Sequence, residues 1–189
     1  AEDEKGEALS DLFLAVLFPA GQLRLLAYNR VVSDLAGHTP AELLAAIAAA
    51  GFVVGAPSVS AATPRGRRQF ALYLDGSWRD LEFVDGSSLP DDPVSRLDAQ
   101  ILQDRILGPI LGIDDPRTSE RIRFIGDIEG TGRLEELAGT RGVAFSLFPT
   151  SINELMAVSD AGRLMPPKST WFEPKLRSGL FIRKIREDA

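Results

Sequence analysis

Residues 68–74 read RQFALYL and residues 78–84 read WRDLEFV, with Asp75-Gly76 close between them. Both runs alternate apolar and polar side chains, the period of a strand that presents two faces. Asp-Gly suits the positive backbone angles of a two-residue hairpin turn. This stretch commits the chain to an antiparallel hairpin.

The rest of the chain supplies further strands and the helices between them. Residues 12–18 (LFLAVLF) form an apolar run closed by Pro19 and Gly21, and residues 22–32 (QLRLLAYNRVV) follow that turn. They predict a second hairpin, with Asn29 and Arg30 near the end of its second strand. Thr39-Pro40 with Glu42 reads as a capping box, opening a helix that Gly51 ends, with Leu43, Leu44 and Ile47 on one face. Short strands are expected at 52–54, 121–126, 143–148 and 180–185. A mobile small-residue loop is expected at 56–66, with the cluster Arg65, Arg67 and Arg68 read as solvated. Val94, Leu97, Ile101, Leu102, Ile106 and Leu107 recur at helical spacing and predict a long helix over 93–111, kinked by Gly108-Pro109. Asp98 lies near its apolar stripe, where a carboxylate must be paired or at the rim. Helices are also expected at 133–138 and, capped by Ser151 and Glu154, at 152–161. The sum is an α+β fold with a largely antiparallel or mixed sheet and interspersed helices. We expect one domain over 12–186, after an acidic, flexible leader over 1–11.

Composition limits the classes of function. With no cysteine in 189 residues, disulfides and zinc–thiolate sites are excluded. No apolar run approaches 18 residues, and the acidic opening is not a secretory signal, so no membrane partner and a cytoplasmic location are expected. A net charge of −6 argues against duplex nucleic acid as a partner. The charge is uneven, however. Residues 2–11 carry a balance of −4 and residues 163–186 a balance of +6. A basic C-terminal face is either solvated or a site for phosphate or carboxylate. The chain opens on Ala rather than Met, which reads as a piece of a longer protein.

Residues 165–180 (MPPKSTWFEPKLRSGL) fit neither a helix face nor a strand face. They are the strongest candidate site. Lys168-Ser169-Thr170 looks superficially like a phosphate-binding P-loop, but two prolines precede the lysine and have no N–H to offer a phosphate. Anion binding would instead use side chains: Lys168, Lys175 and Arg177, with Ser169 and Thr170 as hydrogen-bonding groups and Glu173 as neutraliser or base. Asn29 and Arg30 join them as anion or substrate contacts. Two uses of the stretch stay open, a ligand site or a loop whose aromatics plug a core. His38, the only histidine, sits in a cap region and reads as structural. No nucleophile–base pair can be named, so catalytic residues stay unknown, and no metal site is expected.

Several segments together resemble a known family. YNRVV at 28–32, RLDAQILQDRILGPILGI at 96–113, RIRFIG at 121–126 and AFSLFPTSINELMAVSDAGRLMPPKSTWFEPKLRSGLFIR at 144–183 look like the C-terminal half of the domain of unknown function 1015 family. Members are about twice this long. Their other half carries His-Glu-His-Thr-like and Asp-Gly-His-His-Arg segments, the second similar to a phosphate-handling motif of the ParB and sulfiredoxin-like superfamily, which includes free-serine kinases. The resemblance thus implies ATP-dependent phosphorylation of a small, serine-like metabolite, with magnesium and a nucleotide as cofactors. Neither motif is in this chain. It would be the scaffold and ligand-contact part, inactive alone and partnered by its own N-terminal half. Two rivals remain: a regulatory module binding a metabolite or nucleic acid, and a structural domain that can form a homo-oligomer.

Overall fold

The computed structural model describes residues 15–61, 63–175, 177, 179, 180 and 182. It falls into two compact units, Leu25–Trp171 and Ala1–Arg24 with Phe172–Ala189. The larger is built on a six-stranded sheet. Its elements are β2 (Tyr28–Val32), α1 (Pro40–Ala49), β3 (Phe52–Val54), β4 (Gln69–Leu74), β5 (Ser77–Phe83), α2 (Asp98–Leu102), β6 (Ile122–Gly126), α3 (Thr131–Ala138), β7 (Val143–Leu147) and α4 (Ile152–Asp160). The strand order is β3-β5-β4-β7-β2-β6, and each of these pairings is antiparallel. A second, two-stranded sheet pairs β1 (Arg24–Leu26) with β8 (Trp171–Glu173). The fold is α+β.

Strand period decides which residues face which core. In β4, Phe70, Leu72 and Leu74 enter one apolar cluster, while Ala71 and Tyr73 enter the other. The first cluster takes Leu43 and Ile47 of α1 and Ile101 and Leu102 of α2; the second takes Leu134 and Ala138 of α3. The sheet is therefore covered by helices on both faces. All five residues of β7 are buried, as a strand covered on both faces requires. Trp78 on β5 is fully buried, and its Nε1–H donates to Glu135 Oε1 of α3 at 2.7 Å. That bond gives the indole's polar edge the partner that burial demands.

The Asp75-Gly76 hairpin forms as expected, with φ of 48° and 73° at its two turn residues and β4 paired to β5 from Leu74↔Ser77 onward. Both capping boxes form. Thr39 and Ser151 accept from the N–H of Glu42 and Glu154, whose carboxylates return to the cap N–H.

Two expectations fail for identifiable reasons. The long helix over 93–111 is only α2, because Ser95 N–H and Oγ–H both turn to Asp92 Oδ2 and Leu97 is extended. Beyond α2 the chain widens into a π-helical turn, Gln103–Leu107. Pro109 has no N–H for the carbonyl four residues back, and Gly108 N–H bonds Gln103 O instead, at 3.0 Å. The strand expected at 12–18 is the second failure. Residues 15–18 are irregular, with Leu17 95% exposed, and β2 takes β6 and β7 as its neighbours. Residues 12–14, and most of the strand expected at 180–185, lie outside the described residues.

Asp98 opens α2 and is only 8% exposed. Its Oδ1 accepts the N–H of Arg68 at 2.8 Å. Burial pushes its carboxyl up to about 7, with the Glu154 charge adding to the effect against the pull of the Arg68 N–H. The folded state thus holds a proton that the unfolded chain releases near pH 4, so stability falls as pH rises from about 4 to about 7, by up to a few kcal/mol. Asp98→Asn keeps an acceptor and removes the titration. Urea midpoints from pH 4 to 8 should fall more steeply for wild type than for the variant; parallel profiles would assign the titration elsewhere.

Candidate functional site

β2 places Arg30 on the α2 side of the sheet, in step with Val32, and Asn29 on the other. Arg30 is 3% exposed. Its Nη1 donates to Tyr28 O and its Nη2 to Lys168 O at 3.2 Å, and Cζ lies 5.3 Å from the Phe124 ring centroid. Burial lowers its pKa to about 10, so the guanidinium keeps its charge at neutral pH. An arginine has five N–H groups, and these two bonds leave others for a ligand.

The bond to Lys168 O fastens the loop of residues 165–170. Ser169, itself buried, closes that loop by donating from Oγ to Pro166 O at 2.7 Å. Its carbonyl accepts from Thr150 Oγ at 3.1 Å. Lys168 takes a left-handed φ of 52°, rare for a residue with a side chain, and its Nζ sits 5.4 Å from the Tyr28 ring centroid. The Trp171 ring lies 5.2 Å from Tyr28 and directly against Gly126, where a Cβ would fall 2.5 Å from Cζ3.

Arg30 looks into a cleft of about 270 Å³. Phe124, Leu107, Ala99 and the Pro166-Pro167 pair form its apolar walls; Gln100, Gln103, Asp114, Asp115 and Arg117 form its polar ones. Asp115 and Arg117 hold one another through two bonds of 2.9 Å, which keep the Asp115 carboxyl below its usual range. Gln103 sits on the π-helical turn and donates to Ile113 O at 2.7 Å. Among the described residues, no three His, Cys, Asp or Glu side chains converge to hold a metal ion, and no helix is long and apolar enough to cross a membrane.

Of the residues singled out from sequence, the structure gathers Arg30, Lys168 and Ser169, with Thr170 half-buried beside them. Asn29 does a different task. β2–β7 pairing stops at Arg30↔Phe145, and the Asn29 side chain takes the next N–H, that of Leu147, at 3.0 Å. Its Nδ2 donates to Asp127 Oδ1 at 3.2 Å. Glu173, Lys175 and Arg177 belong to the smaller unit. The sequence did not single out 114–117, Gln100, Gln103 or Phe124. The break at Gly108-Pro109 was the available signal, since π-turns recur at functional sites.

These features define an α+β protein with a small mixed-charge cleft beside a buried arginine. The chain belongs to the family described as "Protein of unknown function (DUF1015)", whose sequence profile matches residues 1–100. Most of the segments that suggested the family from sequence lie beyond that span. No curated protein matches the chain. Among solved structures it is similar to free serine kinase in complex with AMP, at 13% identity and a TM-score of 0.48, and to a mutant of that kinase in complex with ADP, at 15% and 0.45. In both cases the match covers 81% of this chain and 55% of the other, so the chain spans about half of those proteins. Likeness at that level carries no argument about this chain's chemistry.

Gly126 is the position where the Trp171 ring requires a hydrogen instead of a side chain. Gly126→Ala should displace the indole and destabilise the fold by about 1–3 kcal/mol, the range for overpacking a filled site. Tryptophan emission should shift to the red while far-ultraviolet dichroism is unchanged. An unshifted spectrum with wild-type stability would remove Trp171 from this packing.

Proposed function

We propose that this chain is the scaffold and ligand-contact part of an ATP-dependent phosphotransferase for a small, serine-like metabolite, and that it is inactive alone. The phosphotransferase class comes from the sequence resemblance. The observation that supports ligand contact is the cleft with the buried Arg30 guanidinium in its wall. A carboxylate of the metabolite would meet Arg30 and Arg117, and an ammonium would meet Asp114. At about 270 Å³ the cleft lies just under the ~300–1,000 Å³ typical of drug-sized ligands, which favours a molecule of amino-acid size over a nucleotide. In phosphoryl transfer the protein's work is largely positioning and charge stabilisation, and orienting the acceptor molecule is a distinct share of it.

Calorimetric titration with L-serine, ATP, ADP and phosphate, with and without magnesium, tests the reading. L-Serine should bind, and Arg117→Ala should weaken it at least tenfold, about 1.4 kcal/mol. The Lys168→Ala, Lys175→Ala double variant should bind L-serine nearly as wild type does. Loss of binding only in the double variant would move the site to the loop lysines. A folded chain that binds none of these molecules would leave the structural reading ahead.

A further inference from the structure

The arginines that precede β4 are not simply solvated. Arg67, Arg68 and Arg96, with Gly86 and Leu89, line a cavity of about 270 Å³ that has no carboxylate in its wall. Two of the three are anchored from outside. Arg67 Nε pairs with Glu154 Oε1 at 2.8 Å, and Arg96 Nη2 pairs with Asp91 Oδ1 at 3.0 Å while its Nε donates to Pro90 O at 3.3 Å. Arg67 also donates from Nη2 to Arg96 O at 3.4 Å, which ties the two arginines' segments together.

Arg68 is held differently. Its φ of 65° is left-handed, a conformation that a residue with a side chain adopts at a cost and that clusters at functional positions. Both polar backbone groups are pinned: its N–H goes to Asp98 Oδ1, and its carbonyl accepts Phe83 N–H, each at 2.8 Å. Yet its guanidinium has no hydrogen-bond or ion-pair partner among the described residues. It rests on Gly86, where an added Cβ would fall 2.0 Å from Nη1. The fold therefore strains and fixes a backbone whose exposed side chain carries a charge with no partner among the described residues, facing a cavity that two anchored guanidinium groups share.

We propose that Arg67, Arg68 and Arg96 form a binding site for a phosphate group, separate from the Arg30 cleft and independent of the function proposed for it. Planar guanidinium forks match the oxygens of phosphate in pairs; Arg67 and Arg96 already share their charge with Glu154 and Asp91, so Arg68 brings the site's net positive charge while all three can donate hydrogen bonds. Of the carboxylates around the site, Glu154 and Asp91 hold Arg67 and Arg96, Asp98 holds the Arg68 backbone, and Asp85, next to Gly86, is held by Ser87 and Ser88. Asp98 is partly protonated at neutral pH and so opposes the anion with less than a full charge.

The test is titration of the whole chain at constant ionic strength with inorganic phosphate and with glycerol phosphate. Each should saturate in the sub-millimolar to low-millimolar range. Equal affinities assign the site to the phosphate group itself, and a tighter ester assigns it to a phosphorylated metabolite; both support the proposal. Arg68→Gln should weaken binding at least tenfold. Gly86→Ala should do the same with no change of charge, because its methyl displaces the guanidinium. Arg117→Gln, in the other cleft, should have no effect. Absence of saturation with folded wild-type chain overturns the proposal. So does equal weakening by Arg117→Gln, which would mark a general charge effect, or full binding retained by both Arg68→Gln and Gly86→Ala.

Discussion

Everything in the larger unit depends on keeping β7 satisfied. It lies between β4 and β2, all five of its residues are buried, and helices cover both of its faces. No water reaches such a strand, so each N–H and C=O needs a partner within the protein. β4 supplies one full side, from Leu74↔Val143 to Phe70↔Leu147. β2 falls short on the other side, and the Asn29 side chain supplies the missing acceptor for Leu147 N–H. One amide thus lets β2 leave the ladder early. Its other end is anchored in turn by Asp127, just past β6. The neighbouring Arg30 completes the arrangement on the opposite face by turning a buried charge into a clasp for the loop of residues 165–170.

The cleft and the clasp are therefore parts of one structure. The same guanidinium that holds Lys168 O forms part of the wall in which Phe124 and the proline pair also stand. A buried arginine is expensive unless its N–H groups are matched. Two carbonyls and an aromatic face provide only part of that match. In the function proposed above, a ligand carboxylate would complete it.

Short-range chemistry made much of this legible. The Asp75-Gly76 hairpin, both capping boxes and the strands at 52–54, 122–126 and 143–147 follow from turn residues, side-chain acceptors and alternation, all readable within a few positions. Long-range pairing was not. Nothing local to residues 12–18 says that β2 would take β6 and β7 as neighbours. The apolar spacing over 93–111 does match buried positions, but Asp92 captures Ser95 and Pro109 widens the last turn, so the same side chains are buried without a continuous helix. Of the candidate site, the irregular run after Met165 was visible because it fits no period, and Arg30 because it was expected near a strand end, although it lies at the centre of β2. The groups facing them across the cleft come from 99–117, and only the tertiary fold brings those segments together. The three-arginine cavity was hidden for the same reason: Arg96 and Gly86 are distant in sequence from the pair they join.

The position of β7 also sets an order on biogenesis. β3, β5 and β4 can assemble from residues 52–83, and β2 can pair with β6 once residue 126 has been made, but β4 and β2 meet only through β7. Until residues 143–147 leave the ribosome, two partial sheets each present an inner edge with open hydrogen-bonding groups and apolar side chains. Such edges recruit other chains as readily as their own. A pause or truncation shortly before this strand would produce a species that has most of its secondary structure and is prone to aggregate, whereas one shortly after it would leave the central sheet closed.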